Sequence, residues 1–283
     1  MLFPQPAPDS SQTTLPSPVT TELFAALERL NTDGGSPVSR FAPGVLVKFG
    51  CDHGAEVRAL QFVHGQLSIP TPRVLHHAPL TDTVVAPWDW MNGTWYFFME
   101  ECQGVPLDTV IGHMSSAELD HIADQLLSVL KEMRSYSSET LGSVTGGPYN
   151  NRFMPFPWHP PHAFSTTEEY LDHYRDMFLE FCGFEYVEEL FSHFPTDAQV
   201  HLTHGDLLPR NILVDGSKIT AIIDWETAGY YPEFWEYCRM HDPGLMTPGW
   251  GRVLAHIFPG PRREEEIDAV SRIVRFLHYN GVA

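Results

Sequence analysis

The residues with the most chemical reach fall in one stretch, 201–226, which reads HLTHGDLLPRNILVDGSKITAIIDWE. Asp206 follows His204-Gly205, Asn211 comes five residues after it, and Asp224 closes the run TAIID. Moving a phosphoryl group from a nucleotide to an alcohol asks for one carboxylate that orients the hydroxyl and accepts its proton. It also asks for an amide oxygen and a second carboxylate that hold Mg²⁺ on the phosphates. A loop followed by a strand hairpin delivers three such groups to one point, with Asp206 as base and Asn211 and Asp224 as metal ligands. Upstream, Lys48 ends the run Val45-Leu46-Val47-Lys48, where an ammonium can meet phosphate, and Glu56 stands near the start of the next helical segment to hold it.

The elements that must position these groups follow from periodicity and punctuation. Residues 45–49 are a short β-branched strand ending at Gly50. In 54–66 the apolar positions Ala55, Ala59, Phe62 and Val63 are spaced for one face of a helix. The runs 83–90 and 94–101 flank Met91-Asn92-Gly93, a hairpin signal. After Gln103-Gly104-Val105-Pro106 the texture changes. Residues 116–134 open on a Ser-x-Glu start and place Leu119, Ile122, Ala123, Leu126, Leu127 and Leu130 toward a core. Further helices are expected over 167–192 and 262–279, and short strands near 200–203, 211–214 and 219–224. Residues 1–20, rich in Pro, Ser and Thr, read as a disordered tail, a capped helix as the next segment, and 31–44 as loop. A sheet-rich part over 21–102 and a helical part over 103–283 make two lobes with a cleft between them.

Bulk composition narrows the partners. Seventeen basic against 36 acidic residues leave a net charge of −19, which disfavours nucleic acid and anionic membranes and suits a neutral or cationic small molecule. The four cysteines, 51, 102, 182 and 238, form no CxxC pair and read as reduced thiols of a cytoplasmic protein. No secretory leader or membrane-spanning run is read. Fifteen histidines include the HxxH of His201 and His204, but without zinc-site spacing His204 reads as a scaffold for the loop. The aromatic run Tyr230, Tyr231, Phe234, Trp235 and Tyr237 reads as core rather than as an acceptor pocket. The acidic residues of 168–189 read as a solvated face, with a cationic acceptor as the functional alternative.

HGDLLPRNILV followed by IIDWETAGYYPEFWEY resembles the aminoglycoside phosphotransferase and choline kinase superfamily, especially its fungal branch. VLVKFG, AEVRALQFV and FFMEECQGVPL match that family's N-lobe and hinge, so the likeness runs from about residue 40 to about 245. It implies a two-lobed, protein-kinase-like α+β fold with ATP and Mg²⁺ in the cleft and a small-molecule hydroxyl as acceptor. Carried over, Asp206 is the base, Asn211 and Asp224 hold metal, Lys48 binds phosphate, Glu56 anchors Lys48, and the backbone of Glu100, Glu101 and Cys102 meets the adenine. Gly34-Gly35-Ser36 is a poor match to a phosphate-covering loop, which keeps a pseudokinase or nucleotide-binding module as the rival reading. A protein kinase fits less well, because His-Gly-Asp replaces His-Arg-Asp and Trp225-Glu226 replaces Phe-Gly.

Overall fold

The computed structural model describes residues 38–50, 54–79 and 95–280. The tail, the first helix, Gly34-Gly35-Ser36, Cys51, Met91-Asn92-Gly93 and the strand over 83–90 lie outside those residues.

The first sheet is antiparallel, in the order β1 (Val38–Ala42), β2 (Val45–Gly50), β4 (Trp95–Glu100), β3 (Val74–Pro79). Alternation along β2 turns Val47 and Phe49 to one face and Lys48 to the other, and Lys48 sits opposite Phe97 in the ladder. β1 occupies residues read from the sequence as loop; Ser-Pro and Pro-Gly around it mask a strand that is only half-buried. Helix α1 (Gly54–Gln66) covers the sheet. Its buried stripe is Glu56, Val57, Ala59, Leu60 and Val63, so the apolar face is rotated from the expected one and leaves Ala55 and Phe62 half-buried. The rotation points Glu56 inward, toward Lys48.

The joint at Gly104 runs into β5 (Val105–Pro106) and the short helix α2 (Leu107–Val110). Gly104 has φ +113°, and a Cβ there would stand 2.7 Å from the Val214 carbonyl oxygen, so only glycine fits. Helix α3 (Ser116–Arg134) begins one residue earlier in its cap than the sequence signal suggests. Ser115 Oγ accepts from the Glu118 amide at 3.3 Å and the Ser115 amide donates to Glu118 Oε2 at 2.7 Å, a reciprocal box. The region 167–192 divides into α4 (Thr167–Leu179) and α5 (Phe184–Phe191), with Gly183 between them.

Two small sheets frame the middle of the chain: β6 (Gly142–Ser143), β10 (Gly229–Pro232) and β7 (Val200–Thr203) in one, β5, β8 (Ile212–Asp215) and β9 (Lys218–Ile222) in the other. Helices α6 (Phe234–Met240), α7 (Pro248–Ile257) and α8 (Glu264–Asn280) complete the described residues. One apolar cluster runs continuously from α1 and the first sheet into α3 and α7, so the two parts share a core across their joint. A second gathers α4, α5 and α8 around the aromatic run, with Tyr231, Phe234, Trp235 and Tyr237 all buried. Those four are core, as expected, while Tyr230 is half-buried and packs against the first cluster. No described helix is long and apolar enough to cross a membrane.

Candidate active site

β7 carries the chain into His204 and Asp206, a 3-10 turn covers Pro209–Asn211, and β8 leads away. His204 is fully buried and locks this loop. Its Nε2 donates to the Ile223 carbonyl at 3.0 Å, its Nδ1 accepts from the Asp206 amide at 3.2 Å, and its carbonyl accepts from Thr227 Oγ1 at 2.8 Å. Burial lowers its pKa, which keeps the ring neutral and Nδ1 able to accept. His201 takes no part, so HxxH is not a unit here. Gly205, at φ +83°, lets the loop pass Thr227, and a Cβ there would meet Thr227 at 2.9–3.2 Å.

Beneath the loop lies a carboxylate the sequence did not single out. Glu236 of α6 is buried, and its Oε2 accepts from the amides of His204 at 2.6 Å and Gly205 at 3.3 Å. Burial pushes its pKa up to about 7 despite these donors. Glu236 ties this loop to α6 from below.

Asp206 has no solvent exposure, and its carboxylate is ringed by guanidiniums. Arg239 Nη2 meets Oδ1 at 2.8 Å, while Arg210 Nη2 at 2.6 Å, Arg152 Nη2 at 2.8 Å and Asn211 Nδ2 at 2.9 Å converge on Oδ2. Burial alone would raise this carboxyl's pKa. Arg152, Arg239 and Arg210 outweigh it and hold the carboxyl well below the usual range. Of these arginines only Arg210 had a signal in the sequence, its place inside the motif four residues after Asp206. Arg152 and Arg239 arrive from distant segments.

Across the cleft, Lys48 Nζ lies 2.7 Å from Glu56 Oε2, 2.9 Å from Asp224 Oδ1 and 3.9 Å from Glu226 Oε2. Burial opposes charge on Lys48, but Glu56 and Asp224 more than compensate and hold it protonated. Asp224 stands two residues beyond the end of β9 in a left-handed conformation, φ 65° and ψ 57°. That conformation costs a non-glycine residue roughly 1–2 kcal/mol and aims the carboxylate into the cleft. Oxygens of Glu56, Asp224 and Glu226 all lie within 4.8 Å of one another. Asn211 uses its amide NH₂ on Asp206, which leaves Oδ1 as its ligand atom. Asn211, Asp224 and Glu226 thus offer an all-oxygen donor set, which suits Mg²⁺.

The cleft holds a cavity of about 310 Å³ lined by Lys48, Glu56, Met99, Glu100, Cys102, Asn211 and Asp224, among others. At the hinge the amides of Glu100 and Glu101 donate to the carbonyls of Arg73 and Gly44, at 3.0 and 2.9 Å. Their side chains pair with Arg73 and Arg40. Glu100 and Cys102 line the cavity and Glu101 does not. The structure therefore brings Lys48, Glu56, Asp206, Asn211 and Asp224 to one place. Glu168, Glu169, Asp172 and Asp176 line neither this cavity nor the one beside Asp206.

Over residues 30–276 the chain matches the model of the phosphotransferase enzyme family, APH. It belongs to that family. Among solved structures it is similar to a thermostable mutant of the aminoglycoside phosphotransferase APH(4)-Ia in its apo form, with TM-score 0.60 and 15% identity over 90% of this chain and 92% of that one. A ternary complex of a further mutant of that enzyme with AMP-PNP and hygromycin B gives TM-score 0.59 at 15% identity, with the same coverage. The GDP and kanamycin complex of APH(2")-IIia gives 0.53 at 16% identity over 83% of this chain and 79% of that one. No curated protein sequence matches. The fold of this APH-family chain is the two-lobed, protein-kinase-like α+β fold, with a small antiparallel sheet first and helices after.

Proposed function

We propose that this chain is an ATP-dependent phosphotransferase acting on a hydroxyl of a small molecule. The observation that carries the reading is the placement of the catalytic loop between two cavities. Asn211, with Asp224 and Lys48, lines the one toward the hinge, and its neighbour Arg210 lines the other. Donor and acceptor have separate rooms with Asp206 between them. The structures of similar aminoglycoside phosphotransferases with AMP-PNP or GDP support a nucleotide in the first.

In this reading Lys48, kept charged by Glu56, pairs with the nucleotide phosphates. Cys102 and Glu100 present hinge backbone to the base. Asn211, Asp224 and Glu226 would hold Mg²⁺, which supplies charge neutralisation on the phosphates. The acceptor hydroxyl gives its proton to Asp206 as its oxygen forms a bond to the γ-phosphorus, and the bond from that phosphorus to the oxygen of ADP breaks. Asp206, held ionised, acts mainly by orienting the hydroxyl and takes the proton late. Aspartate-to-asparagine substitution at 206 is the direct test. Turnover is expected to fall by on the order of 10²–10⁴ with nucleotide binding retained, and near-normal turnover would remove Asp206 from the chemistry.

One observation favours a binding module without turnover: Oδ2 of Asp206 already meets three protein donors and Oδ1 a fourth. That reading requires MgATP binding with no phosphorylated product from any acceptor.

A further inference from the structure

The cavity on the far side of Asp206 has a charge opposite to that of the chain. It measures about 440 Å³, within the range of small-molecule sites. Arg152, Arg210, Arg239 and Arg275 line it against a single carboxylate, Asp242. A chain with 17 basic and 36 acidic residues has concentrated four guanidiniums in one hollow. A ligand there responds to groups within a Debye length, about 8–10 Å at ordinary ionic strength, and not to the sum over the molecule. The cationic acceptor drawn from net charge therefore has no counterpart in the lining of this cavity.

The four arginines are not equivalent. Arg239 is structural: 3% exposed, it bonds Asp206 Oδ1, Asp242 Oδ2 at 2.9 Å and the Gly205 carbonyl. Arg152 and Arg210 have side chains 42% exposed, and both converge on Asp206 Oδ2 together with Asn211. Arg152 has a second carboxylate in Glu226, at 3.2 Å. Arg210 has no other acidic partner among the described residues. Arg275 bonds only the Ser271 carbonyl of its own helix, at 3.3 Å, and meets no carboxylate among the described residues. Oδ1 of the buried Asp206 meets only Arg239, while Oδ2 meets three donors, more than its two lone pairs accommodate, so an acceptor hydroxyl arriving past Arg210 reaches Oδ2 by displacing one of them. A displaced Arg210 is free to take a new anion, and the exposed Arg275, which lines the same cavity, is free to share it. Neutralising Asp206 explains Arg239 and Arg152 but not Arg275.

We propose that the acceptor carries an oxyanion, a carboxylate or phosphate ester, which Arg210 and Arg275 receive in this cavity while the acceptor's hydroxyl takes Arg210's place on Asp206. The inference rests on Asp206 as the reacting carboxylate. Phe153, with the guanidiniums of Arg152 and Arg239 each 5.6 Å from its ring centre, gives the cavity an apolar wall for the body of such a molecule. A bidentate arginine contact to carboxylate or phosphate sets both orientation and sign.

Three probes on one ring separate the outcomes: benzoate, phenyl phosphate and benzylamine, titrated into the full chain at constant ionic strength and followed by calorimetry. Benzoate or phenyl phosphate is expected to bind and benzylamine not, the stronger of the two naming the oxyanion. Arg275→Ala is expected to weaken that binding by roughly tenfold or more, while its MgATP-induced thermal shift shows that the fold is intact. Preferential binding of benzylamine, or anion binding untouched in Arg275→Ala, overturns the proposal. A panel of hydroxy acids, phosphorylated alcohols and amino alcohols with MgATP then gives a separate readout through ADP release. Oxyanion binding without turnover of any acceptor sinks the kinase reading and leaves the site standing. Turnover of amino alcohols alone sinks the site and leaves the kinase reading standing.

Discussion

Glu236 gives the sharpest test of how the catalytic loop is held. Its carboxyl is pushed from an ordinary 4.5 to about 7 by burial, so the folded protein binds this proton more tightly than the unfolded chain does. Stability tied to this group is therefore complete below about pH 4.5, falls as pH rises toward 7, and stays level above that. A shift of this size corresponds to roughly 3 kcal/mol, at 1.36 kcal/mol per unit. Glu236→Gln removes the titration. The amide oxygen can still accept from the His204 and Gly205 amides in place of Oε2, and the NH₂ group then takes the position of Oε1, which meets no donor among the described residues. The assay is urea unfolding of both proteins at half-unit steps from pH 4.5 to 8. The wild type's advantage over the variant is expected to shrink by about 3 kcal/mol across pH 4.5–7 and then to remain constant. Other shifted carboxyls, including Glu56, act on both proteins and cancel in the difference. Parallel stability curves would show that Glu236 is ionised throughout, and that the loop amides, not burial, decide its state.

Three further outcomes are expected. Asp224→Ala should abolish the Mg²⁺-dependent part of the thermal shift given by ATP while the apo protein stays folded; an unchanged magnesium effect places the ligands elsewhere. Lys48→Met leaves the buried Glu56 and the half-buried Asp224 without their cation and should cost about 3–5 kcal/mol at pH 8, with part recovered as falling pH protonates Glu56, which burial already pushes up to about 7, read by urea unfolding at pH 8 and pH 5. Gly205→Ala forces a left-handed φ on a residue whose Cβ meets Thr227, and should cost roughly 1–3 kcal/mol while lowering turnover more than nucleotide affinity, read by melting and by kinetics at saturating ATP.

Much of the donor side was legible because it is local. Asp206, Asn211 and Asp224 lie within one loop and hairpin, Lys48 ends a recognisable strand, and Glu56 stands near the start of the helix that follows. Periodicity failed where burial is set by a neighbour: α1 turns Glu56 inward because Lys48 is there, and an apolar-only pattern cannot register a buried carboxylate with a partner. The strand Val38–Ala42 was hidden by its proline and glycine neighbours. The guanidiniums around Asp206 were out of reach for a different reason. Arg152 comes from a loop dense in aromatics and Arg239 from a short buried helix, and nothing local says that two such segments meet one aspartate. Net charge was silent on this in the same way, since it averages away the arrangement that a bound molecule feels.

Arg210 and Asn211 are joined by one peptide bond and serve opposite cavities. The turn Pro209–Asn211 is too short to let one move without the other, because the Asn211 amide is bonded to the Leu208 carbonyl and the Ile223 amide to the Asn211 carbonyl. A ligand in either cavity therefore bears on the same three residues. Under the proposed function the two ligands are then thermodynamically linked: whatever factor a nucleotide applies to an acceptor's affinity, the acceptor must apply to the nucleotide's. Order of binding becomes a property of rates alone.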